Sequence, residues 1–445
     1  MTRAFVAFYF SMFCLSGVSV HAQDAGTPAS FAAIYGESRA TFLSRSIAQT
    51  PDGGYIIAGD KATTVLSALV MKFTAGGSIS WQKTYTFPGQ PSDGYLIRPV
   101  SNGYILVASL GQQTGAPVLA VMNLDPSGTV LWQFEYPTGG DIGAAPFTIE
   151  QTADGGYLLG GIDFDSSTFF APLWGVKLDA SGNIVWQKVF GLNPGTIHAT
   201  SDGGFIVSGY TLCSPRCEAE VAKVDQAGNI VWQKLYLVGV DNGFAGSARE
   251  TPDGGYIVGG EYYIGSTNGY GLAMKLDSSG NVVWQQGFTT PLCLSTGAYD
   301  AQAAPGGGYF LFLGAGCSSN GGVVKLDANG ALLWQEQLTY SGTHGLNVLT
   351  DWFQPTHDGG YIATGSIGSL TFLPRLLNVK VDRNGVLANC GSVSTVSLQV
   401  TTVTPPANTV TAANLGTADT TVIAGASAAT EVAEQLKENN ACKLP

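Results

Sequence analysis

The chain has 445 residues, of which 60 are Gly, 45% are apolar and only 12% are charged. Glycine is about twice, and charge about half, what a typical soluble domain carries. The chain can therefore bury a large core and is not a disordered polymer. A net charge of −12 with 20 Lys and Arg excludes a protein that tracks nucleic-acid phosphates. Many Gly and 18 Tyr with few charges point to short strands and tight turns rather than helices.

Residues 1–22 read as a secretory signal. Arg3 supplies a positive start, Ala4–Val20 an apolar middle, and Val20-His21-Ala22 a small-residue exit. As a membrane anchor the run is short and interrupted by Ser and Gly. Cys14 lies inside it. The mature chain is expected to be secreted or periplasmic, with no transmembrane segment.

From there to about residue 390 one unit recurs, and internal periodicity decides a fold before any local feature does. Asp-Gly-Gly-Tyr stands at 52–55, 154–157, 253–256 and 358–361. Variants stand at Asn102-Gly103-Tyr104, Asp202-Gly203-Gly204-Phe205 and Gly306-Gly307-Gly308-Tyr309. Some 25 to 29 residues on, a second signature ends in Trp81, Trp132, Trp186, Trp232, Trp284 and Trp334.

Each copy reads as four strands. Asp-Gly-Gly supplies a hairpin turn between the first two. A variable loop leads to the third, and Asp-x-x-Gly-Asn turns it into the fourth. Seven such units of about 50 residues predict an all-β, seven-bladed β-propeller over residues 23–390. A linear solenoid is the alternative arrangement.

The seventh copy has Asn389 where the others have Trp, whereas Phe31–Gly36 aligns with the fourth strand Trp186–Gly191. The N-terminal strand is thus expected to complete the seventh blade and close the ring, with Phe31 in the aromatic slot. The other possibility is a fourth strand at 386–390. Residues 391–445 are rich in Thr, Ala, Val and Ser and lack the repeat. They read as a tail ending in a short helix from Ala429 to Glu438.

The mature chain keeps six cysteines, an even number that suits disulfides in an exported protein. The repeat register narrows fifteen pairings to Cys213 with Cys217, Cys293 with Cys317, and Cys390 with Cys442, the last pinning the tail back. His198, His344 and His357 fall in different blades, so no metal site is expected. No cofactor is expected either.

The lysines at Lys72, Lys177, Lys223, Lys275, Lys325 and Lys380, and at Lys83, Lys188 and Lys234, are spread by symmetry and form no basic patch. The six tryptophans read as inter-blade packing. The turn aspartates read as caps, because each turn offers one carboxylate where a calcium loop brings several. No nucleophile elbow, phosphate loop or zinc-protease helix is present, and no catalytic set is assigned.

Two segments carry a resemblance. Val-Lys-Leu-Asp-Ala-Ser-Gly-Asn-Ile-Val-Trp-Gln-Lys (176–188), with Asp-Gly-Gly-Tyr-Ile-Val-Gly-Gly (253–260), resembles the repeats of exported bacterial propellers of the Asp-Gly-Gly-Tyr type, most of which have no assigned activity. The Asp-x-x-Gly-x-x-x-Trp segment is similar to the tryptophan-docking motif of quinoprotein-like propellers, which has one more residue between Asp and Gly. Quinoprotein alcohol dehydrogenases have eight blades and a vicinal disulfide. Seven copies and no adjacent cysteines leave that activity uncarried.

Strand order puts the variable loops, between second and third strands and between blades, on one face, and variable loops on a rigid scaffold are where binding resides. They hold Phe169, Phe170 and Trp174, Tyr262, Tyr263 and Tyr270, Phe372, and the acids Asp163, Asp165, Asp241 and Asp300. Exposed rings beside carboxylates suit a glycan or a protein partner, unless the rings simply pack the loops together. The expectation is a secreted, monomeric binding or scaffold module. The alternative is an exported glycan-active hydrolase or lyase, which would need converging carboxylates. N-terminal sequencing of the exported protein is expected to begin at Gln23; a mature chain that retains Met1 would contradict the signal reading.

Overall fold

The computed structural model describes residues 30–387, less 37–39, 112–117, 138–143, 164–171, 212, 214–215, 238–240, 265–267, 290–295, 316–321, 341–346 and 370–371. Beyond them it describes seven short strands between residues 393 and 439. It is a seven-bladed propeller whose blades are antiparallel and four-stranded. Blade 1 comprises Thr41–Gln49, Tyr55–Ala62, Leu66–Phe73 and Ile79–Thr86. Blade 2 comprises Ser92–Val100, Gly103–Leu110, Val118–Leu124 and Val130–Pro137. Blades 3 to 6 repeat the order with first strands Ala144–Gln151, Asn193–Ala199, Gly243–Glu250 and Thr296–Ala303. Blade 7 takes Asn347–Pro355, Tyr361–Ser369 and Phe372–Val381 from its own copy and Phe31–Tyr35 from the N-terminus. Phe31 pairs with Lys380 and Tyr35 with Leu376, so the first described strand closes the ring.

The turn chemistry explains the repeat. In blade 1, Gly53 holds φ at 79°, a conformation glycine adopts without the Cβ penalty. Asp52 Oδ1 accepts from Thr50 Oγ1 at 2.5 Å and Gly54 N at 3.1 Å. The buried Lys72 of the third strand donates to Asp52 Oδ2 at 2.8 Å and to Phe73 O at 3.0 Å. The same ion pair joins Lys177 to Asp154, Lys223 to Asp202, Lys275 to Asp253 and Lys380 to Asp358. The third-strand lysines Lys72, Lys177, Lys223, Lys275 and Lys380, spread round the ring by symmetry, are thus buried partners of the turn caps. Burial pushes the Asp52 and Asp154 carboxyls up, but donors from lysine, threonine and glycine outweigh it and hold each at about 2.

Two blades depart from this pattern, each in a chemically consistent way. Blade 2 has Asn102 in its turn, and Asn123 replaces the lysine and donates to Tyr157 Oη at 2.6 Å. Blade 6 has Gly306 where the aspartate would stand but keeps Lys325. That ammonium donates to Gly307 O at 3.2 Å and lies 4.1 Å from the Phe310 ring centroid. Burial draws it down to about 8.

Neighbouring blades are joined by the second signature. Trp81 Nε1 donates to Pro126 O of blade 2 at 3.1 Å, and Trp186, Trp232, Trp284 and Trp334 reach Gln226, Ser278, Ala328 and Arg383 in the same way. A Cβ on Gly128 would lie 2.7 Å from the Trp81 ring, and one on Gly77 would lie 2.8 Å from the Phe31 ring. Phe31 therefore occupies, at the blade 7–blade 1 junction, the place tryptophan takes elsewhere. A second link follows four residues on. The hydroxyls of Tyr35, Tyr85, Tyr136 and Tyr236 donate to Gly77 O, Gly128 O, Gly182 O and Gly280 O at 2.5–2.7 Å.

The tail lies against the propeller, as the pinned-back reading expects, but it does so as strands. Every blade carries a fifth, outer strand supplied by residues 393–439. Val393–Ser397 lies on blade 6, Thr401–Val403 on blade 5, Thr409–Ala412 on blade 4 and Thr417–Asp419 on blade 3. Gly425–Ala426 lies on blade 2, Thr430–Ala433 on blade 1 and Glu438–Asn439 on blade 7. The segment runs round the ring against chain order. Each step takes seven or eight residues: Thr395 faces Leu338, Thr402 faces Phe288, Val410 faces Tyr236 and Thr417 faces Phe190.

The helix expected at Ala429–Glu438 is corrected to two strands within that range and just beyond it. Local helix propensity there is a weak preference, and the open hydrogen-bonding edge of each blade overrides it. Deleting residues 391–445 is expected to bare seven sheet edges and cause concentration-dependent association in light scattering. A truncated protein that stays monomeric with unchanged melting temperature would contradict the role of this strap.

Candidate functional site

The residues expected on the loop face are dispersed. Phe169, Phe170 and Asp165 lie outside the described residues, and Asp163 ends the second strand of blade 3. Trp174 is half-buried on the third strand of blade 3 and packs against the core shared with blade 2. The second and third strands of blade 5 run out to Ile264 and back from Asn268, so that three expected loop residues lie on strands. Tyr262 is fully buried and stacks on Tyr270 at 5.1 Å, and Tyr263 packs edge-on to Phe244. Asp241 is half-buried at the entry to blade 5. Phe372 opens the third strand of blade 7. Asp300 is on the first strand of blade 6, not in a loop.

Cys213 and Cys217 form a disulfide, and Cys217 N donates to Asn242 Oδ1 at 2.9 Å. Cys293, Cys317, Cys390 and Cys442 lie outside the described residues.

What the structure brings together lies on the first strands, which meet one another around the axis. His198 Nδ1 donates to Glu150 Oε1 at 2.7 Å, and Ala199 N donates to Glu150 Oε2 at 2.9 Å. Arg249 spans the gap between two carboxylates from blades 3 and 6, reaching Glu150 Oε1 through Nη1 at 3.3 Å and Asp300 Oδ1 through Nε at 3.2 Å. Ser247 Oγ and Gln302 Nε2 complete the shell of Asp300 at 2.7 and 2.6 Å. Arg98, from blade 2, donates to Ser46 Oγ of blade 1 at 2.8 Å.

Burial alone would raise the Glu150 carboxyl, but His198, Arg249 and the Ala199 amide outweigh it and hold it at about 2. Asp300 is likewise lowered, its burial outweighed by Arg249 and His198. Burial and the Arg249 charge keep His198 below its ordinary value, hence neutral at pH 7. Two cations and two anions therefore balance in an axial polar network.

Above this network a second feature recurs. The first strand of every blade shifts register at one level, between residues 44/46, 94/96, 146/148, 193/196, 245/247, 298/300 and 350/352. A bulge of this kind leaves an extra residue unpaired and re-aims its side chain. In six blades the extra residue is Arg45, Tyr95, Phe147, Gly246, Tyr299 and Asp351. The position repeats while its chemistry changes from blade to blade.

Arg45 lies 4.8 Å from the Tyr95 ring centroid and binds Asp60 Oδ2 at 2.9 Å and Asp93 Oδ2 at 3.7 Å. Burial and the neighbouring Asp93 raise Asp60 to about 7, only partly offset by Arg45. Of this set only Asp300 was singled out in the sequence. The signal that could have found the rest is alignment of the first strands on their Asp-Gly-Gly turns, which puts Arg98, Glu150, His198 and Arg249 in one column.

Among the described residues no group of three or more His, Cys, Asp and Glu side chains is placed to hold a metal ion, and no helix is long and apolar enough to cross a membrane. A family model described as outer membrane protein assembly factor BamB matches residues 175–364, from the third strand of blade 3 to the second of blade 7. No curated protein matches the sequence.

Among solved structures the chain is similar to Sqt1 from Chaetomium thermophilum, with 12% identity, TM-score 0.44, and coverage of 82% of this chain and 88% of that one. It is also similar to the subtype N11 neuraminidase-like protein of A/flat-faced bat/Peru/033/2010, with 12% identity, TM-score 0.40, and coverage of 80% and 94%. Over residues 175–364 the chain carries repeats like those of the BamB-type quinoprotein-like propellers.

Arg249→Met is expected to cost about 3 kcal/mol at pH 7, since it strands two enclosed carboxylates. Those carboxyls would then titrate higher than in the parent protein, so the deficit shrinks as falling pH protonates them. In the parent protein the lowered Glu150 contributes above pH 4 and its contribution is lost only as the pH falls towards 2, with Asp300 acting in the same direction. Melting temperatures between pH 4 and 7 test this; an unchanged melting temperature at pH 7 would remove the axial network from the account.

Proposed function

We propose that this protein is an exported binding or scaffold module that presents its variable face to a glycan or protein partner. One observation carries the reading. A scaffold that repeats its turn caps, buried lysines and aromatic docking round the ring varies one bulged position of the innermost strands, and the side chains there include Arg45, Tyr95, Phe147 and Tyr299. Rigid support beneath chemically varied positions is the arrangement of recognition surfaces.

Export is supported by the N-terminal signal pattern over residues 1–22 and by the Cys213–Cys217 disulfide. The family description matched over residues 175–364, an outer membrane protein assembly factor, is compatible with a binding or scaffold role. Cys390 precedes the first strand of the strap and Cys442 follows its last strand. We read the two as a bond that would tie the strap's ends together, since the strap begins at the end of blade 7's own copy and finishes on that blade's outer edge.

The alternative, a glycan-active hydrolase or lyase, rests on converging loop-face carboxylates such as Asp300; to these the structure adds Asp60, a carboxyl raised to about 7. That group is almost wholly enclosed, and its two oxygens are taken by Gly94 N and Arg45 Nε. Asp60 so occupied makes a poor general acid, and Asp300, held by Arg249, Ser247 and Gln302, favours its charged form.

Binding and cleavage can be measured together on arrays of glycans and peptides, with a polymer-maleimide label at Asp241→Cys on the variable face or at Ser181→Cys on the turn face. Retention without cleavage, abolished only by the first label, is expected. Turnover of a glycan, or loss of binding only from the second label, would overturn the proposal.

A further inference from the structure

We infer that Tyr299 is the stacking platform of a carbohydrate-binding subsite, with Glu261 as the acceptor at its edge. The inference rests on the recognition reading above and gives it a ligand class. Tyr299 is the bulged residue of the first strand of blade 6 and is 58% exposed, an unusual state for so large a ring at the inner edge of a propeller.

The ring is nevertheless held in place. Gly297 and Gly314 are cross-strand partners beneath it. A Cβ on Gly314 would lie 2.0 Å from Tyr299 Cε2, and one on Gly297 would lie 3.2 Å from Cε1. The two glycines thus make a seat that no side chain could share. The following residue, Asp300, is anchored by Ser247, Arg249 and Gln302. A ring fixed on one side and open on the other loses little freedom when a ligand stacks on it.

The chemistry beside the ring selects the ligand. Glu261 Oε2 lies 3.6 Å from the position of that Gly297 Cβ, and its charge helps raise the Tyr299 hydroxyl, after burial. A flat aromatic face with a carboxylate at its rim matches the apolar C–H face and equatorial hydroxyls of a pyranose. The carboxylate and a net charge of −12 disfavour anionic sugars, which leaves neutral or amino sugars. In blade 1 and blade 2 the same level offers Arg45 over Tyr95 with Asp60 and Asp93, a second planar surface ringed by polar groups.

Calorimetry of the full chain against chitotetraose, cellotetraose, maltotetraose and mannotetraose tests the assignment. At least one is expected to bind. Tyr299→Ala should weaken it tenfold or more without lowering the melting temperature, Tyr299→Trp should restore it, and Glu261→Gln should weaken it to a lesser degree. Gly314→Val, which displaces the ring from its seat, should act like Tyr299→Ala. Binding indifferent to Tyr299→Ala, or no binding of any of the four, overturns the subsite. A peptide partner that is blocked by the Asp241→Cys label and indifferent to Tyr299→Ala would overturn it while leaving the recognition reading intact.

Discussion

The junction between neighbouring blades is the interaction on which the rest depends. A fourth-strand tryptophan crosses to the next blade's Asp-x-x-Gly turn and donates to a backbone carbonyl there. Its ring covers a glycine that has no Cβ to obstruct it, and it meets the aromatic residue after the Asp-Gly-Gly turn, as Trp132 meets Tyr157 at 5.7 Å and Trp186 meets Phe205 at 5.4 Å. Each junction covers a large aromatic surface, and at Trp81, Trp186, Trp232, Trp284 and Trp334 the indole N–H also finds a carbonyl. Four of the junctions add a tyrosine hydroxyl to the adjoining glycine carbonyl. Since the contact is always from one blade to the next, the ring is stable only if the last blade reaches the first. Phe31 provides that contact.

The rest of the scaffold positions this junction. The turn aspartate fixes the hairpin, and the buried lysine ties the third strand to it. The pair survives burial because its aspartate remains open to water, as with Asp253 at 64% side-chain exposure against 5% for Lys275. Where the aspartate is missing, the lysine is either replaced, as by Asn123, or left with an aromatic face and a carbonyl, as with Lys325. Sequence variation within one chain thus tests the physical reading of the pair.

Much of the architecture was legible because its determinants are local and repeated. Glycines at positive φ, a tryptophan at a constant offset and a blade's missing fourth strand can all be read without coordinates. That the tail pairs with every blade as a strand was not legible, for the opposite reason. Its short segments carry no hydrophobic alternation of their own. They are strands because a blade edge is there to pair with, and the step of seven or eight residues is set by the distance between edges. The axial site was half legible. Asp300 stood out as an acid, but Glu150, His198 and Arg249 are ordinary residues of ordinary strands until seven first strands are brought to one axis. Tyr262 illustrates the converse, a ring that reads as exposed in a loop and lies in the core because the strands run further than the turn residues suggest.

The assembly is therefore a closed ring, docked blade to blade by aromatic rings, strapped on its outside by its own C-terminal segment and varied on its inside at the bulges. Hydrogen–deuterium exchange of the intact chain, followed peptide by peptide, addresses this most directly. The account predicts that amides within 393–439 are protected together with the fourth strands they pair with. Tail peptides that exchange as fast as a free chain, over blades that stay protected, would contradict it.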